Sequence, residues 1–503
     1  MLQLFDSSDQ KIVLVSHIAR GGEGEVWKTN RDINGKRQVA KVYKDKVHDS
    51  PKVLNRDQIT KLKLLIQNPP SDPNKNLGHI SFAWPQGLVF NDKKQAVGFL
   101  MPEISGGNNL FKICNPKRRK TKRLNIDWFF LHIVALNIAS IIQAIHQYRP
   151  YEYVLGDIKL ENILVNDQAL PSIIDVDSFQ VRGSQGHPIY HCLVGSEGFT
   201  PRELFGKNFN QEIQSPKHDY FRLGVLIYYL LFGEHPFQGV WKGQGEPLDK
   251  NKLVYNGYWP YAPPNRRLLG QVEQTIPLEI LHPKLQQSFL KCFNDGHDNP
   301  SQRPTAEEWK NNLEIALQDL QQCNNVDSHW YSPQSEYYQR FRTCYWCQRA
   351  KDIKVDIYPE IISLRRLQDF LSKKDWRQAD LETKLLLLKM TKRQGQGWLD
   401  EKSIQNLKIE DIKELDKLWR NASNNRFGFS IQKQIYLQTS NQLNQYNWQI
   451  YCNFGEKVGW YEPNTGWKDY TKLDFSDSAP EGHLPFLSAG FTVLVDSIAR
   501  RLP

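Results

Sequence analysis

The sequence predicts a multidomain chain: an α+β unit first, then a small cysteine–histidine module, then a mostly α-helical C-terminal domain. Three observations carry this. Residues 10–320 open with β-patterned, glycine-bearing stretches and pass into long apolar helical ones. Residues 321–352 hold the spacing C-x5-H-x14-C-x2-C. Residues 356–490 turn largely helical, as in Leu364 to Thr383, where apolar and charged positions alternate. A chain of 503 residues with 40% hydrophobic content can bury a core in each part.

Ile12 to Val15 reads as a strand, and I-A-R-G-G-E-G-E-V-W-K (18–28) follows it. Gly21, Gly22 and Gly24 let the backbone approach phosphates closely, and Val26 resumes a strand that would lie on a purine. In Q-V-A-K-V-Y-K, strand alternation puts Val39 and Lys41 on one face. Lys41 would reach phosphates while Val39 packs on the base. Gly98 to Ile104 reads as the last strand of this lobe and a hinge, with Met101 to Glu103 meeting the adenine edge.

Tyr153 to Asp177 organises the rest. Ile163 to Val165 and Ser172 to Ile174 read as two short strands with Asn166-Asp167-Gln168 in the turn. Asn162 enters this hairpin and Asp175 leaves it, so an amide oxygen and a carboxylate meet at its open end and can share Mg²⁺. Asp157 and Lys159 lie on the loop before it. A carboxylate there can orient a hydroxyl nucleophile, and an ammonium can hold a transferring phosphoryl group.

A glycine loop, a strand lysine and an acidic hairpin in that order resemble a eukaryotic-type serine/threonine protein kinase over about residues 10 to 320. The resemblance implies a bilobal fold, ATP, Mg²⁺ and a protein substrate. Asp157, Lys159, Asn162 and Asp175 would be catalytic, with Asn162 and Asp175 on the metal. The usual H-R-D is L-G-D here, the usual D-F-G is Asp175-Val176-Asp177, and Ala19 stands at the first glycine position. Helix Val53 to Ile66 should carry a glutamate for Lys41, yet Asp57 is its only acid. Ser178 to Phe199 resembles an activation segment, and Gly195 to Glu203 a substrate-positioning loop. Glu203 would pair with Arg303, and Asp219, opening the helical stretch His218 to Phe237, would cap catalytic-loop amides. Ile126 to Gln147 reads as an amphipathic helix burying Phe130, Ile133, Val134, Ile138, Ile141, Ile142 and Ile145.

Cys323, His329, Cys344 and Cys347 could complete a tetrahedral structural zinc site. A C-x-x-C pair alone could instead be redox-active or inert. Cys114, Cys192, Cys292 and Cys452 are isolated packing residues.

G-W-L-D (397–400), L-D-K-L-W (415–419), N-R-F-G-F-S-I-Q (425–432), F-G-E-K-V-G-W (454–460) and A-P-E-G-H-L-P (479–485) resemble, in order and spacing, the tetrapyrrole-binding Genomes-Uncoupled-Four family. That resemblance implies a mostly helical domain binding protoporphyrin-type ligands without chemistry on them. Together with the kinase part it suggests a chain of cyanobacterial type. Phe427, Phe429, Trp460, Trp467 and Phe475 could form an apolar cup, with Arg426 on a propionate. His483 in G-H-L-P reads as a hydrogen-bonded loop residue rather than an axial ligand. The tail after Pro485, ending in Arg500 and Arg501, carries no signal of its own.

Net charge is +10, partly from Lys117 to Arg123, which reads as a solvated loop before a helix; no specific nucleic-acid signature accompanies it. No signal peptide or stretch of membrane-span length is read, and seven cysteines without a framework fit a reducing cytoplasm. The reading is an ATP-dependent serine/threonine protein kinase with a tetrapyrrole-binding domain. The rival is a pseudokinase scaffold that acts only as a tetrapyrrole sensor.

Overall fold

The computed structural model describes residues 3–502 apart from 34, 46–49, 123, 125, 184–188, 272–273, 359–363, 392, 394–395, 444–446 and 487–491. Part of the activation segment (184–188) therefore lies outside the described residues. The chain forms two compact units, Met1–Glu360 and Ile361–Pro503.

The first unit starts with β1 (Leu4–Phe5), β2 (Lys11–Ile12), β3 (Leu14–Arg20), β4 (Gly24–Ile33), β5 (Lys36–Tyr43), β6 (Gly87–Asn91) and β7 (Ala96–Pro102). They form one sheet in the order β2-β1-β6-β7-β5-β4-β3. The two-residue period of β5 sorts its side chains to two cores. Val39 and Tyr43 join Phe99, Met101 and Leu62 on one face, and Ala40 and Val42 join Val97 and Leu100 on the other. Gly98 lets β5 and β7 approach, because a Cβ there would fall 2.1 Å from the Lys41 carbonyl oxygen. Helix α1 (Arg56–Gln67) begins with a reciprocal Asn55–Gln58 capping box.

The second lobe is helical around β8 (Asn108–Asn109), β9 (Glu152–Val154), β10 (Ile163–Val165), β11 (Pro171–Ile173), β12 (Gln180–Arg182) and β13 (Ile189–Tyr190). Its helices include α2 (Leu110–Cys114), α3 (Pro116–Thr121), α4 (Trp128–His146) and α5 (Pro216–Phe232). Val134, Ile138, Ile141, Ile142 and Ile145 of α4 are fully buried, whereas Phe130 and Ile133 are only partly so. Each wholly buried isoleucine contributes about 2 kcal/mol of apolar transfer free energy. Helix α4 corrects the expectation that no stretch has membrane-span length. Its 19 residues are long and apolar enough to cross a membrane. Burial against its own lobe accounts for that apolarity.

The basic run also departs from expectation. Residues 116–121 form α3, and Arg119 is buried with its guanidinium 4.7 Å from the Tyr358 ring centre. Residues 321–352 pack on the helical lobe. Trp330 Nε1 donates to Asp127 Oδ2 at 2.9 Å, Phe129 stacks on Trp330 at 4.5 Å, and Trp346 meets Trp128 edge-on at 5.2 Å.

The second unit is helical: Arg365–Ser372, Trp376–Met390, Ile409–Ala422, Phe429–Gln438, Trp448–Lys457 and Thr492–Arg501 surround a core containing Trp376, Trp419, Phe454 and Trp460. The last of these helices corrects the reading of the tail. Val495, Ile498 and Leu502 are buried in the same core, and Arg500 pairs with Glu401 at 2.6 Å.

Candidate functional sites

The acidic hairpin forms one residue out of the expected register on its second strand, pairing Ile163 with Ile173 and Val165 with Pro171. Its open end is closed by the Ile174 N–H donating to the Asn162 carbonyl at 2.9 Å, which sets Asn162 beside Asp175. Asn162 donates its amide nitrogen to the Asp157 carbonyl at 3.1 Å, so its amide oxygen is the atom left for a metal. Asp175 adopts a left-handed backbone (φ 68°), unusual for a side-chain-bearing residue and a mark of functional constraint.

Asp157 is buried and accepts from Lys159 Nζ at 2.6 Å and from Ser196 Oγ at 2.6 Å. Burial alone would depress the Lys159 ammonium, but the Asp157 carboxylate outweighs it and the net shift is upward. The loop is held from behind. Asp219 accepts the Leu155 and Gly156 N–H groups at 2.7 and 3.1 Å and is itself held by His146 and Arg222. Glu203 and Arg303 form the expected bidentate pair at 2.6 and 2.9 Å. Gly156, where the resembled motif has arginine, has φ 71°, and a Cβ there would lie 2.5 Å from Cys192 Sγ.

Across the cleft, Lys41 Nζ donates to Asp175 at 2.6 Å and to both oxygens of Asp177 at 2.8 and 2.7 Å. Burial pulls the Lys41 ammonium down, yet Asp177 and Asp175 outweigh it and hold it above its ordinary value. Burial likewise raises the Asp177 carboxyl, and the Lys41 charge more than reverses that. Tyr43 Oη donates to Asp177 as well. Helix α1 offers Lys41 no carboxylate; instead Lys61 Nζ donates to the Asp177 carbonyl oxygen at 2.7 Å. Asp177, Lys61, Tyr43 and Ser196 escaped the sequence reading. The D-V-D spelling, set against the acid-poor helix, was the available signal for the first two.

Val26, Val39, Met101, Ile104 and Ile174 belong to one apolar cluster, a wall for a flat base. Gly21 and Gly22 form the β3–β4 turn, closed by Gly21 N–H to the Gly24 carbonyl at 2.8 Å. Gly24 lies where a Cβ would strike the Val42 carbonyl at 2.4 Å, so it serves strand packing as well. Glu103 is tied down by Lys28 at 2.7 Å, and its N–H donates to the Arg37 carbonyl.

The sulfurs of Cys323, Cys344 and Cys347 lie within 4.8 Å of one another. Cys323 and Cys347 are 3.5 Å apart, and His329 Nδ1 faces Cys347 at 3.2 Å. Tetrahedral zinc with bonds of about 2.3 Å needs sulfurs about 3.8 Å apart, so this donor set fits zinc with small adjustments. His329 Nε2 meets Asp356 at 3.1 Å, the carboxylate contact that orients histidine ligands.

The predicted tetrapyrrole cup needs correction. Phe427, Phe429 and Trp460 are core residues with almost no exposure. They pack there because Trp376, Trp419 and Phe454 need apolar neighbours. Arg426 donates Nε and Nη2 to the Ala479 and Ser478 carbonyls at 2.8 and 3.3 Å, which fixes its loop. Phe475 lies partly buried against Tyr470. Trp467 stacks on Tyr451 at 5.0 Å and lies 6.3 Å from Trp448. Trp448 and Trp398 keep 53% and 49% of their surface open, and the Arg393 guanidinium covers Trp398 at 4.3 Å. His483 behaves as read: Nδ1 faces the Val458 carbonyl at 2.5 Å, and Nε2 accepts the Asp474 N–H at 3.1 Å.

This cleft, with its strand lysine and acidic hairpin between two lobes, defines a protein-kinase-type fold. A family model described as protein kinase domain matches residues 13–313, more than half of the chain. The chain belongs to the protein kinase family, and its C-terminal unit is GUN4-like, matched by that family's model over residues 359–498. Protein kinase YegI of Escherichia coli O157:H7 is 28% identical over 74% of this chain and 54% of its own length. The chloroplastic tetrapyrrole-binding protein of Arabidopsis thaliana is 28% identical over 24% of this chain and 48% of its own. The Ycf53-like protein of Synechocystis is 30% identical over 24% and 50%. The ligand-free structure of Arabidopsis thaliana GUN4 is 28% identical, covering 27% of this chain and 93% of that one, with a TM-score of 0.24. The chain spans about half the length of the curated relatives it matches.

Proposed function

We propose that the chain is an ATP-dependent serine/threonine protein kinase whose C-terminal unit binds a protoporphyrin-type tetrapyrrole. The kinase reading rests on one observation above the rest: Lys41 and Asp175 are in contact, and Asn162 and the Asp157–Lys159 pair adjoin Asp175 on the same loop system. Lys41 would steady the nucleotide phosphates, with Gly21, Gly22 and Gly24 giving backbone access. Asp157 would accept a hydrogen bond from the substrate hydroxyl and orient it, and Lys159 would hold the γ-phosphate. Asn162 and Asp175 would hold Mg²⁺, which neutralises phosphate charge when bound. Ser196 already sets a short aliphatic hydroxyl against Asp157, which favours serine or threonine as acceptor. The test is transfer of labelled γ-phosphate to a generic basic protein, wild type against Asp157→Asn, followed by phosphoamino-acid analysis. Equal labelling by the two proteins would sink the assignment.

The second reading, a pseudokinase scaffold, is favoured by α1, which carries no glutamate for Lys41. A protein that binds tetrapyrrole but neither binds nucleotide nor transfers phosphate would establish it. For the C-terminal unit, Trp448, with Trp467 beside it, and Trp398, under the Arg393 guanidinium, each keep about half their surface open and are the indoles against which a porphyrin disc would stack. The Cys323, His329, Cys344 and Cys347 set would hold one structural zinc.

A further inference from the structure

We infer that Asp177 is the residue that anchors Lys41 for nucleotide, in place of a helix glutamate, and that Lys61 on α1 is its counterweight. In protein kinases the strand lysine must be held by an acid, ordinarily from the helix that packs beside it. Here that helix contributes a cation. Lys61 donates to the backbone carbonyl of Asp177 at 2.7 Å, while the Asp177 carboxylate takes Lys41 at 2.8 and 2.7 Å. The acid has moved from helix to metal loop, and an opposite charge has moved onto the helix. Lys41 holds the carboxylate side of Asp177 and Lys61 its carbonyl side.

A D-x-D pair could instead supply two metal ligands. Exposure separates the two roles. The Asp175 side chain is 36% open to the cleft, whereas that of Asp177 is 3% open, shut behind Lys41 and Tyr43. A metal arriving from solvent with its nucleotide meets Asp175. Asp177 has both carboxylate oxygens on Lys41, and Tyr43 adds a further donor, which leaves little acceptor capacity for a cation. Asp177 is therefore a positioning residue, acting through Lys41.

The inference deepens the kinase reading and rests on it only for its catalytic consequence; nucleotide binding tests it separately. Affinity for a fluorescent ATP analogue is measured on the full chain with Mg²⁺ and again in EDTA, for Asp177→Asn, Asp177→Gly and Lys61→Glu/Asp177→Gly. Thermal melts confirm folding. Asp177→Asn, nearly isosteric, should lose about ten-fold or more in affinity under both conditions, since an anchoring role needs no metal. Lys61→Glu, which restores an acid to the helix, should recover most of what Asp177→Gly loses. Affinity within two-fold of wild type in Asp177→Asn would overturn the inference. So would a loss confined to Mg²⁺, which would make Asp177 a metal ligand, or a folded double variant no better than Asp177→Gly. If the double variant does not fold, Asp177→Asn alone decides. Wild-type protein that shows these affinities but transfers no phosphate would overturn the kinase reading and leave the anchor standing.

Discussion

Gly156 shows what a single atom can cost at the catalytic loop. Its φ of 71° and the 2.5 Å approach of Cys192 Sγ exclude a side chain. Gly156→Ala should destabilise the first unit by about 2 kcal/mol. Asp157 follows it directly, so phosphoryl transfer should fall too. Adding Cys192→Gly should return part of the stability; a thermal melt checks both variants, and no change on Gly156→Ala would refute the packing argument. Asp380 makes a second case. Burial pushes its carboxyl up to about 7, outweighing the Phe486 N–H at 2.5 Å, Tyr470 and the Lys384 charge, which favour the charged form. Between about pH 4 and pH 7 the native state then keeps a proton that the unfolded chain has lost. Stability from this group is highest at low pH and falls as pH rises through that window. Asp380→Asn should flatten the decline, measured as the melting temperature of the second unit from pH 5 to 8; parallel wild-type and variant curves would exclude it. Asp157, Lys159 and Asn162 contact one another within five positions, so their grouping could be read from the D-x-K-x-x-N spacing together with the glycine loop and strand lysine upstream. Asp177 could not, because its role depends on what a helix 116 positions earlier fails to supply.

At the scale of elements, the acidic hairpin was readable because strand length, turn residues and β-branching agree over a short span. The aromatic residues of the second unit were not. Phe427 and Trp448 look alike in a sequence, and only packing makes one core and the other surface. The two classes should separate in experiment. Trp398→Ala with Trp448→Ala should weaken protoporphyrin binding about ten-fold or more with little change in melting temperature, since stacking surface is lost without a cavity. Phe427→Ala should instead cost about 3–5 kcal/mol of stability. Unaltered porphyrin affinity in the double tryptophan variant would remove those indoles from the site. The zinc element predicts about one zinc per chain by elemental analysis. Chelation or Cys344→Ser with Cys347→Ser should lower the melting temperature of the first unit, because Trp330 and Trp346 beside the site pack on α4. Metal-free protein of unchanged stability would end that assignment.

For the whole molecule, a GUN4-like unit and a kinase unit on one chain invite a test of linkage. If tetrapyrrole occupancy biases the kinase, the coupling should lie at about 1–3 kcal/mol, and it must be reciprocal. A nucleotide analogue should shift the protoporphyrin Kd by the factor by which porphyrin shifts nucleotide affinity. Identical porphyrin affinity with and without saturating nucleotide would exclude it. The division into a kinase part and a GUN4-like part could be read from motif order. The seating of the cysteine–histidine segment on the kinase core could not, because the contacts of Trp330 with Asp127 and Phe129 bridge about 200 positions.

The placement of both acidic partners of Lys41 on one short turn has a consequence for switching. In a kinase whose lysine is held from a helix, that helix and the metal loop can fail separately, giving two kinds of silent enzyme. Here Asp175 and Asp177 leave together if the turn swings out, so on the proposed roles loss of metal and loss of the lysine anchor would be a single event. An inhibitor that prises the helix away would break the Lys61 contact and the packing of Leu62 and Leu65 but take no acid from Lys41, whereas one that wedges beneath the turn would displace both aspartates at once. Helix α1 then needs no acid for Lys41; what it contributes is Lys61 and the buried Leu62 and Leu65.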